Sequence, residues 1–376
     1  MGVHPEIFHN LPEQHIPAFE TFWKLCDEAG LLAKPAGLSG NEEQHGLNDG
    51  PTLLRYFRAG RFDPDRSLKQ FKQARKTHIE NQILFQYNEI DVLEFERARL
   101  LYPHWSGRRS KEGLPICLFD SEHLNKSTIA TYEKTRGMDI GKDASVTATQ
   151  RASIAHDYLT RFVFPLCTAM KDRPRPNVPI TSAVYLVDIS TMTMNQVWDI
   201  KNYTSDIAQL LMTGYPEILG RIFVLNAPTY FGWMWSIMKK WIDPGTAAKV
   251  IFVPPKETLS TLMKHIDPKN IPIRFGGELV WEQGTPLDLD INIQYGLEWK
   301  EEEGLPTGPI KWVLDGSGRK TAAAVGSIDG VQRMTMIAQV KEEEKPASIE
   351  DPEKSIGITD VKKVVDDGYS HTQAAI

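Results

Sequence analysis

Within the twelve residues Phe231–Ile242, FGWMWSIMKKWI, the chain carries three tryptophans and two lysines. Indole rings and ammonium heads both settle well at a bilayer surface, so this mixture suits an interfacial helix. On a wheel at about 100° per residue, Phe231, Trp233, Met234, Trp235, Ile237, Met238, Trp241 and Ile242 fill one arc wider than half the circumference. Gly232, Ser236, Lys239 and Lys240 share the rest. Twelve residues are too few to span a bilayer, which takes about 20. A helix packed in a core beside a sheet would show the same pattern. Covalent chemistry is harder to find. There is no G-x-x-x-x-G-K-[ST] cradle, no G-x-G-x-x-G and no G-x-S-x-G elbow. Gly316-Ser317-Gly318 is half of a phosphate loop, far from any βα turn. The ten histidines contain no H-x-x-x-H pair and do not group with cysteine or aspartate. Asp120 and Asp188 end apolar runs, where a doubly wound sheet carries catalytic groups, but a lone carboxylate there is more commonly a helix cap. Neither an enzyme nor a metal site is expected.

The elements that must position the Trp-rich segment fall into two regimes. Residues 1–90 read as helical: Pro17–Ala29 shows helical spacing through Phe19, Phe22, Trp23 and Cys26, Pro51–Gly60 opens on proline and closes on glycine, and Asp63-Pro64 starts a helix to about Ile79. After Pro103, short apolar runs alternate with helical patterns. Strands are predicted at Pro115–Asp120, Ala183–Ile189, Ile222–Asn226 and Val250–Val253, with helices at Ala148–Phe164, Asn195–Met212, Tyr230–Ile242 and Lys256–His265. Continuous apolar strands separated by helices indicate a largely parallel sheet covered by helices, so the fold class is α/β with a small helical N-terminal domain. The predicted divisions are a helical domain over 1–90, an α/β domain over 91–287 and a small β addition over 288–340. Residues 341–376 read as a disordered acidic tail.

Composition narrows the functional classes. The net charge of −6 and pI near 6.0 offer no basic field for nucleic acid. From Lys341 onward nine acidic and five basic residues give −4 of that total, so the rest of the chain is almost neutral. Three widely spaced cysteines, Cys26, Cys117 and Cys167, form neither a disulfide framework nor a metal cluster and fit a reducing compartment. The first residues lack the charged and apolar regions of a secretory signal, and Glu6 stands where a myristoylation motif needs Ser or Thr. A cytosolic protein is expected. An α/β core with an interfacial helix and few chemical groups describes a container for an apolar ligand.

The run Thr52-Leu53-Leu54-Arg55-Tyr56-Phe57-Arg58-Ala59-Gly60-Arg61-Phe62-Asp63 resembles the L-L-R-F-L-R-A-R-K-F-D signature of the CRAL-TRIO lipid-binding family. Tyr215-Pro216-Glu217, Gly220-Arg221 and Asn226-Ala227-Pro228 resemble its Y-P-E, G-(K/R) and N-A-P run. Asp243-Pro244, Thr246, Lys249 and Phe275-Gly276-Gly277 resemble its D-P-x-T-x-x-K and F-G-G elements. The likeness covers roughly Pro12 to Leu287 and is nearest to the fungal phosphatidylinositol/phosphatidylcholine transfer proteins. It implies a mixed sheet flooring a lipid cavity, closed by an amphipathic gate helix made here of Tyr230, Phe231, Trp233, Met234, Trp235, Ile237, Met238 and Trp241. Closed, the apolar arc would line the cavity; open, it would enter the bilayer interface.

The resemblance further implies that Glu217, Thr246 and Lys249 hold the headgroup of phosphatidylinositol. Lysine supplies a point charge for the phosphodiester, threonine a donor, and glutamate orients the lysine or accepts from inositol hydroxyls. Two departures matter. Gly60 removes one basic residue of the family pattern, and Arg61 is left to cover for it. Where dual-lipid members use a serine and a threonine to hold phosphocholine, this chain has Ala183 and Tyr185. Weak phosphatidylcholine binding is expected, with a second lipid, a sterol or another apolar ligand in its place; Tyr185 as a phenolate ligand to haem iron is the remaining alternative. The cargo is a phospholipid rather than a cofactor. The implied partners are phosphatidylinositol, a transiently visited Golgi, endosomal or other membrane and a phosphatidylinositol kinase. A non-exchanging sensor or scaffold of the same fold is the competing function.

Overall fold

Aspartate followed closely by proline sets the second and third helices. Helix α1 (Ile16–Glu28) precedes α2 (Gly50–Ala59), whose N-cap Asp49 accepts from the Thr52 amide, and α3 (Pro64–Glu80), whose N-cap Asp63 accepts from the Arg66 amide at 2.7 Å. In both, proline stands in the first turn, where a missing amide costs nothing. Two shorter helices follow, α4 (Ile83–Glu89) and α5 (Val92–Arg99). The computed structural model describes residue 9 and residues 11–140, 146–241, 244–301 and 304–341. The expected acidic tail beyond Lys341, Ile242 and Asp243, and the side chain of Trp241, lie outside the described residues.

The central sheet begins with β1 (His104–Arg109) and β2 (Pro115–Asp120), an antiparallel pair. Next come α6 (Lys126–Thr135) and α7 (Ala148–Asp157), which runs through a π-helical turn, Tyr158–Val163, into α8 (Phe164–Ala169). Pro165 cannot donate to the chain behind it, and the widened turn, with the Phe164 amide bonded to the Leu159 carbonyl, accommodates its ring. Strand β3 (Ala183–Asp188), helices α9 (Met194–Asp199) and α10 (Lys201–Gly214), and β4 (Leu219–Leu225) lead to the Trp-rich helix α11 (Phe231–Met238). Helix α12 (Pro244–Ala247), β5 (Val250–Phe252) and α13 (Thr258–Leu262) complete this part. Strands β2 to β5 are parallel neighbours in the order β1-β2-β3-β4-β5, which is the mixed α/β sheet expected.

The strands alternate between two cores. Ile116, Leu118, Val184, Leu186, Phe223 and Leu225 face Leu262, Ile266 and Phe275. On the opposite face, Cys117, Ala183 and Tyr185 pack with Ile154, Phe162, Leu166 and Cys167 of the α7–α8 helix. Beyond it Phe119 and Val224 lie with Val197, Tyr203, Phe231 and Met234. After α14 (Ile291–Gly296) comes a second, antiparallel sheet of β6 (Leu297–Trp299), β7 (Ile310–Leu314), β8 (Lys320–Ala324) and, past the small hairpin β9 (Ser327–Ile328) and β10 (Val331–Gln332), β11 (Thr335–Val340). Its order is β6-β11-β8-β7. It sits on the π turn, where the Trp312 indole stacks on Phe162 at 5.5 Å and donates to the Phe162 carbonyl at 3.1 Å. All three cysteines are buried and unpaired.

Candidate functional site

Two neighbouring parallel strands start from the same edge of the sheet, and each is preceded by a charged residue. Glu217 stands two residues before β4 and Lys249 one before β5, and the Ile222 amide donates to the Lys249 carbonyl at 3.1 Å. Parallel strands lie about 4.8 Å apart, so side chains at matching ends can meet. Here the Lys249 Nζ donates to the Glu217 Oε2 at 2.9 Å. Glu217 is held in the left-handed region at φ 60°, an uncommon conformation for a side chain with a Cβ. Just behind it a bulge at Gly220 brings β4 so close to β3 that a Cβ there would meet the Ala183 carbonyl oxygen at 2.8 Å. The loop is anchored by Tyr215, whose hydroxyl donates to Asp157 Oδ1 at 2.7 Å, and by Tyr56 of α2, whose hydroxyl donates to the Gly214 carbonyl at 2.6 Å.

Thr246 lies on α12, and its carbonyl accepts from the Lys249 amide at 3.0 Å, so the threonine and the lysine share one short turn. The arginine that feels Glu217 is Arg58 on α2: burial pushes its pKa down and the Glu217 carboxylate pulls it back up. Arg61 is exposed on the turn after α2, at φ 59°. Sequence reasoning turned to Arg61 because it adjoins the missing basic residue at Gly60. The signal for Arg58 was its place in the helix: three residues beyond Arg55, it is on a neighbouring part of the α2 surface, whereas Arg61 falls past the helix end.

Helix α11 spends its apolar residues on two surfaces. Phe231, Met234, Trp235 and Met238, spaced three and four apart, turn inward onto Val197, Tyr203 and Val224. Phe231 and Trp235 also meet the ring of Phe252 on β5, at centroid distances of 5.5 and 5.2 Å. Trp233 does not share this arc. It is 50% exposed and lies with exposed Gly232, Ser236, Lys239 and Lys240, while Ile237 is half-buried. A cavity-lining role for Trp233 is therefore corrected: a helix of eight residues, followed by a tight turn at Lys239–Trp241, can bury only the stripe that faces the sheet. Tyr230, at the N-cap, is partly exposed and donates its hydroxyl to the Met192 carbonyl at 2.7 Å.

Ala183 and Tyr185 lie on the inner face of β3, both buried, with Cys117 paired opposite Tyr185 across the sheet. Burial pushes the Tyr185 phenol well above its ordinary pKa, Cys117 raises it further and Arg55 lowers it. The α7–α8 side chains cover this face, so the phenol is neutral and enclosed. At the other end of the strands, Asp120 and Asp188 stand side by side and share Arg274, which sits over the rings of Phe275 and Trp281. Asp120 also accepts from the Glu122 amide at 3.0 Å as a cap. The two carboxylates are fastened to a cation and to backbone, as structural anchors are.

Comparison with known proteins agrees with this architecture. Residues 102–277 match the model of the CRAL/TRIO domain. The SEC14 cytosolic factor of Eremothecium gossypii is 22% identical over 273 residues, covering 72% of this chain and 78% of that protein. A phosphatidylinositol/phosphatidylcholine transfer protein of Arabidopsis thaliana is 24% identical over 236 residues, covering 62% of this chain and 58% of that protein. The crystal structure of Sfh5 superposes with a TM-score of 0.51 at 14% identity, over 76% of this chain and 96% of that one, which is a likeness of fold. The chain is thus similar to the CRAL/TRIO domain over residues 102–277 and, over about 72% of its length, to a SEC14 cytosolic factor.

Proposed function

We propose that the chain is a lipid carrier that takes phosphatidylinositol from one membrane to another, holding the headgroup phosphate on Lys249 and Thr246. The observation that carries this is the Glu217–Lys249 pair at the strand edge, with Arg58 alongside. At 29% and 36% side-chain exposure it is too wet to be a strong structural bridge. An arriving phosphodiester can displace Glu217 from Lys249, leaving the carboxylate to accept from inositol hydroxyls. The similarity to proteins named for phosphatidylinositol/phosphatidylcholine transfer supports the same reading. Ala183 and Tyr185 offer no small hydroxyl for phosphocholine, so phosphatidylcholine is expected to bind weakly.

Entry of acyl chains requires α11 to leave the sheet, since Phe231, Met234 and Trp235 occupy its inner face. Three features support such a movement at a membrane. Trp233, Tyr230 and the lysines 239 and 240 already face outward. Met194 and Trp198 of α9 are also exposed and flank the tyrosine's anchor at Met192. No helix of the described residues is long and apolar enough to cross a membrane, so contact is at the surface. In this picture the protein works in the cytosol, visits membranes briefly and offers inositol hydroxyls at the strand edge to a lipid kinase. Organic extraction and mass spectrometry of the co-purified ligand test it. Phosphatidylinositol without phosphatidylcholine is expected; phosphatidylcholine alone, or a sterol alone, would refute the headgroup assignment.

A further inference from the structure

A cavity of about 1040 Å³ opens on the far side of the α7–α8 helix from the central sheet. Trp23 of α1, Asn48, Arg55 of α2, Phe164 of α8, Ile180 and Trp312 of β7 are among its walls, and no residue of β1 to β5 lines it. The helix divides the two spaces. Phe162 and Cys167 join the core beneath Tyr185, whereas Thr160, Phe164 and Thr168, each one turn apart, line the cavity. A space of this size suits a ligand of drug size or larger.

Its polar groups are unevenly satisfied. Arg55 is 2% exposed, donates through Nη2 to the Thr52 hydroxyl at 3.1 Å, and has a buried Nη1 with no hydrogen-bond partner among the described residues. Asn48 is also buried; its amide donates to the carbonyls of Leu31 and Ala33, and its Oδ1 has no hydrogen-bond partner among the described residues. Asp49 and Asp157 act on the Arg55 charge from a distance, but the oxygens of the nearby acids are engaged elsewhere. Asp49 caps α2 and meets His45, and Glu42 is bound by Arg161 and Lys311. Arg55 is thus a buried cation that Asp49 and Asp157 compensate only from beyond ion-pair distance, and its Nη1 stays unpaired among the described residues, which costs free energy unless an oxyanion arrives to accept from it. Guanidinium matches the oxygen spacing of carboxylate and phosphate, and the apolar walls suit a hydrocarbon body.

We propose that this cavity is a second ligand site, separate from the sheet face, that takes an amphipathic oxyanion, either a long-chain carboxylate or a monoalkyl phosphate, with its head on Arg55. A protonated phosphate can also donate to Asn48 Oδ1, which a carboxylate cannot. The site does not depend on the phosphatidylinositol assignment.

The test is titration of the full chain with cis-parinaric acid, read by energy transfer from tryptophan, with Trp23 and Trp312 in the cavity wall as donors. Loss of one charge-assisted contact predicts about 10- to 100-fold weaker binding for Arg55→Met. Lys249→Ala is expected to bind the acid as the wild type does, and parinaryl alcohol to bind both wild type and Arg55→Met weakly. Equal affinity of a folded Arg55→Met for the acid overturns the proposal, as does loss of binding in Lys249→Ala, which would assign the signal to the sheet face. If Arg55→Met does not fold, Ala33→Trp decides: Ala33 is an exposed residue at the cavity wall, and unchanged acid binding in that variant overturns the site. Displacement by oleate identifies a carboxylate head and displacement by dodecyl phosphate a phosphate head; displacement by neither refutes both.

Discussion

Two sets of opposite charges in this molecule are built from similar residues and do different work. At the strand edge Glu217 meets Lys249 at 2.9 Å with about a third of each side chain in water. Behind the π turn Glu42 binds Arg161 at 2.5 Å through one oxygen and Lys311 at 2.6 Å through the other, with side-chain exposures of 1%, 2% and 6%. Arg161 also lies over the Tyr87 ring at 4.4 Å. Burial pushes the Lys311 pKa down and Glu42 holds it up. The buried cluster joins the 30–48 loop, the π turn and β7, and nothing in water can replace a partner there. The exposed pair can exchange its carboxylate for a ligand at little cost. Solvent access, more than charge, separates a clasp from a binding site.

Removing one member of each set tests this most directly. Glu42→Ala leaves Lys311 buried with only the Asn88 amide oxygen and Arg161 with only Asp157, at 3.6 Å, and should cost about 3–5 kcal/mol, seen as a large fall in denaturation midpoint. A loss below about 1 kcal/mol would mean that water reaches the cluster. Next in size is an acid effect on the buried core beside the sheet. His104 of β1 is enclosed, and burial lowers its pKa from 6.5 to about 3. An unfolded imidazole takes up a proton below 6.5 that the folded one refuses until about 3, so the unfolded state binds more protons across that window. Stability should fall as pH falls through it, by up to about 1.4 kcal/mol per unit. Thermal melts of His104→Gln between pH 7 and 4 should show a shallower slope than the wild type; parallel slopes would remove His104 as the cause.

Smaller effects are expected at the strand edge. Lys249→Ala should change stability by less than about 1 kcal/mol while abolishing phosphatidylinositol loading. A destabilisation matching that of Glu42→Ala would erase the distinction between the two sets. On α11, Trp235→Ser removes a ring that meets Phe252 edge-to-face and should lower both occupancy and stability, by about 0.5–1.5 kcal/mol beyond its lost burial. Trp233→Ser is an exposed change within about 0.5 kcal/mol and should slow vesicle-to-vesicle transfer with stability unaltered. Equal transfer rates for Trp233→Ser and wild type would remove the outward tryptophan from membrane docking.

Continuous apolar runs made the inner strands readable: Pro115–Asp120 was found at its true bounds, and Ala183–Ile189 and Val250–Val253 to within one residue. Strand β1, His104–Arg109, was missed because its sequence HWSGRR neither alternates nor runs apolar; it is held by pairing with β2 at the sheet edge. A single helix over Asn195–Met212 proved to be two, with Ile200 as the joint between Met194–Asp199 and Lys201–Gly214. Part of the candidate site could be read because Glu217, Thr246 and Lys249 fall in short motifs. The outward turn of Trp233 could not, since a wheel shows which residues share an arc but not how much of that arc a neighbouring sheet covers. The cavity at Arg55 was invisible for another reason: its walls come from α1, α8 and β7, whose proximity is a product of tertiary packing.

The three buried thiols give the molecule a set of internal clocks. Burial pushes Cys26 and Cys167 up to about 12 and raises Cys117 as well, so almost none is thiolate at neutral pH. Alkylation must wait for local opening, and each cysteine reports a different one: Cys26 the helical cluster of α1 and α2, Cys167 the α8 segment, Cys117 the middle of the sheet. Under native conditions, mass-resolved alkylation of the unmodified chain with and without vesicles would therefore time which of these layers breathes when a membrane is present.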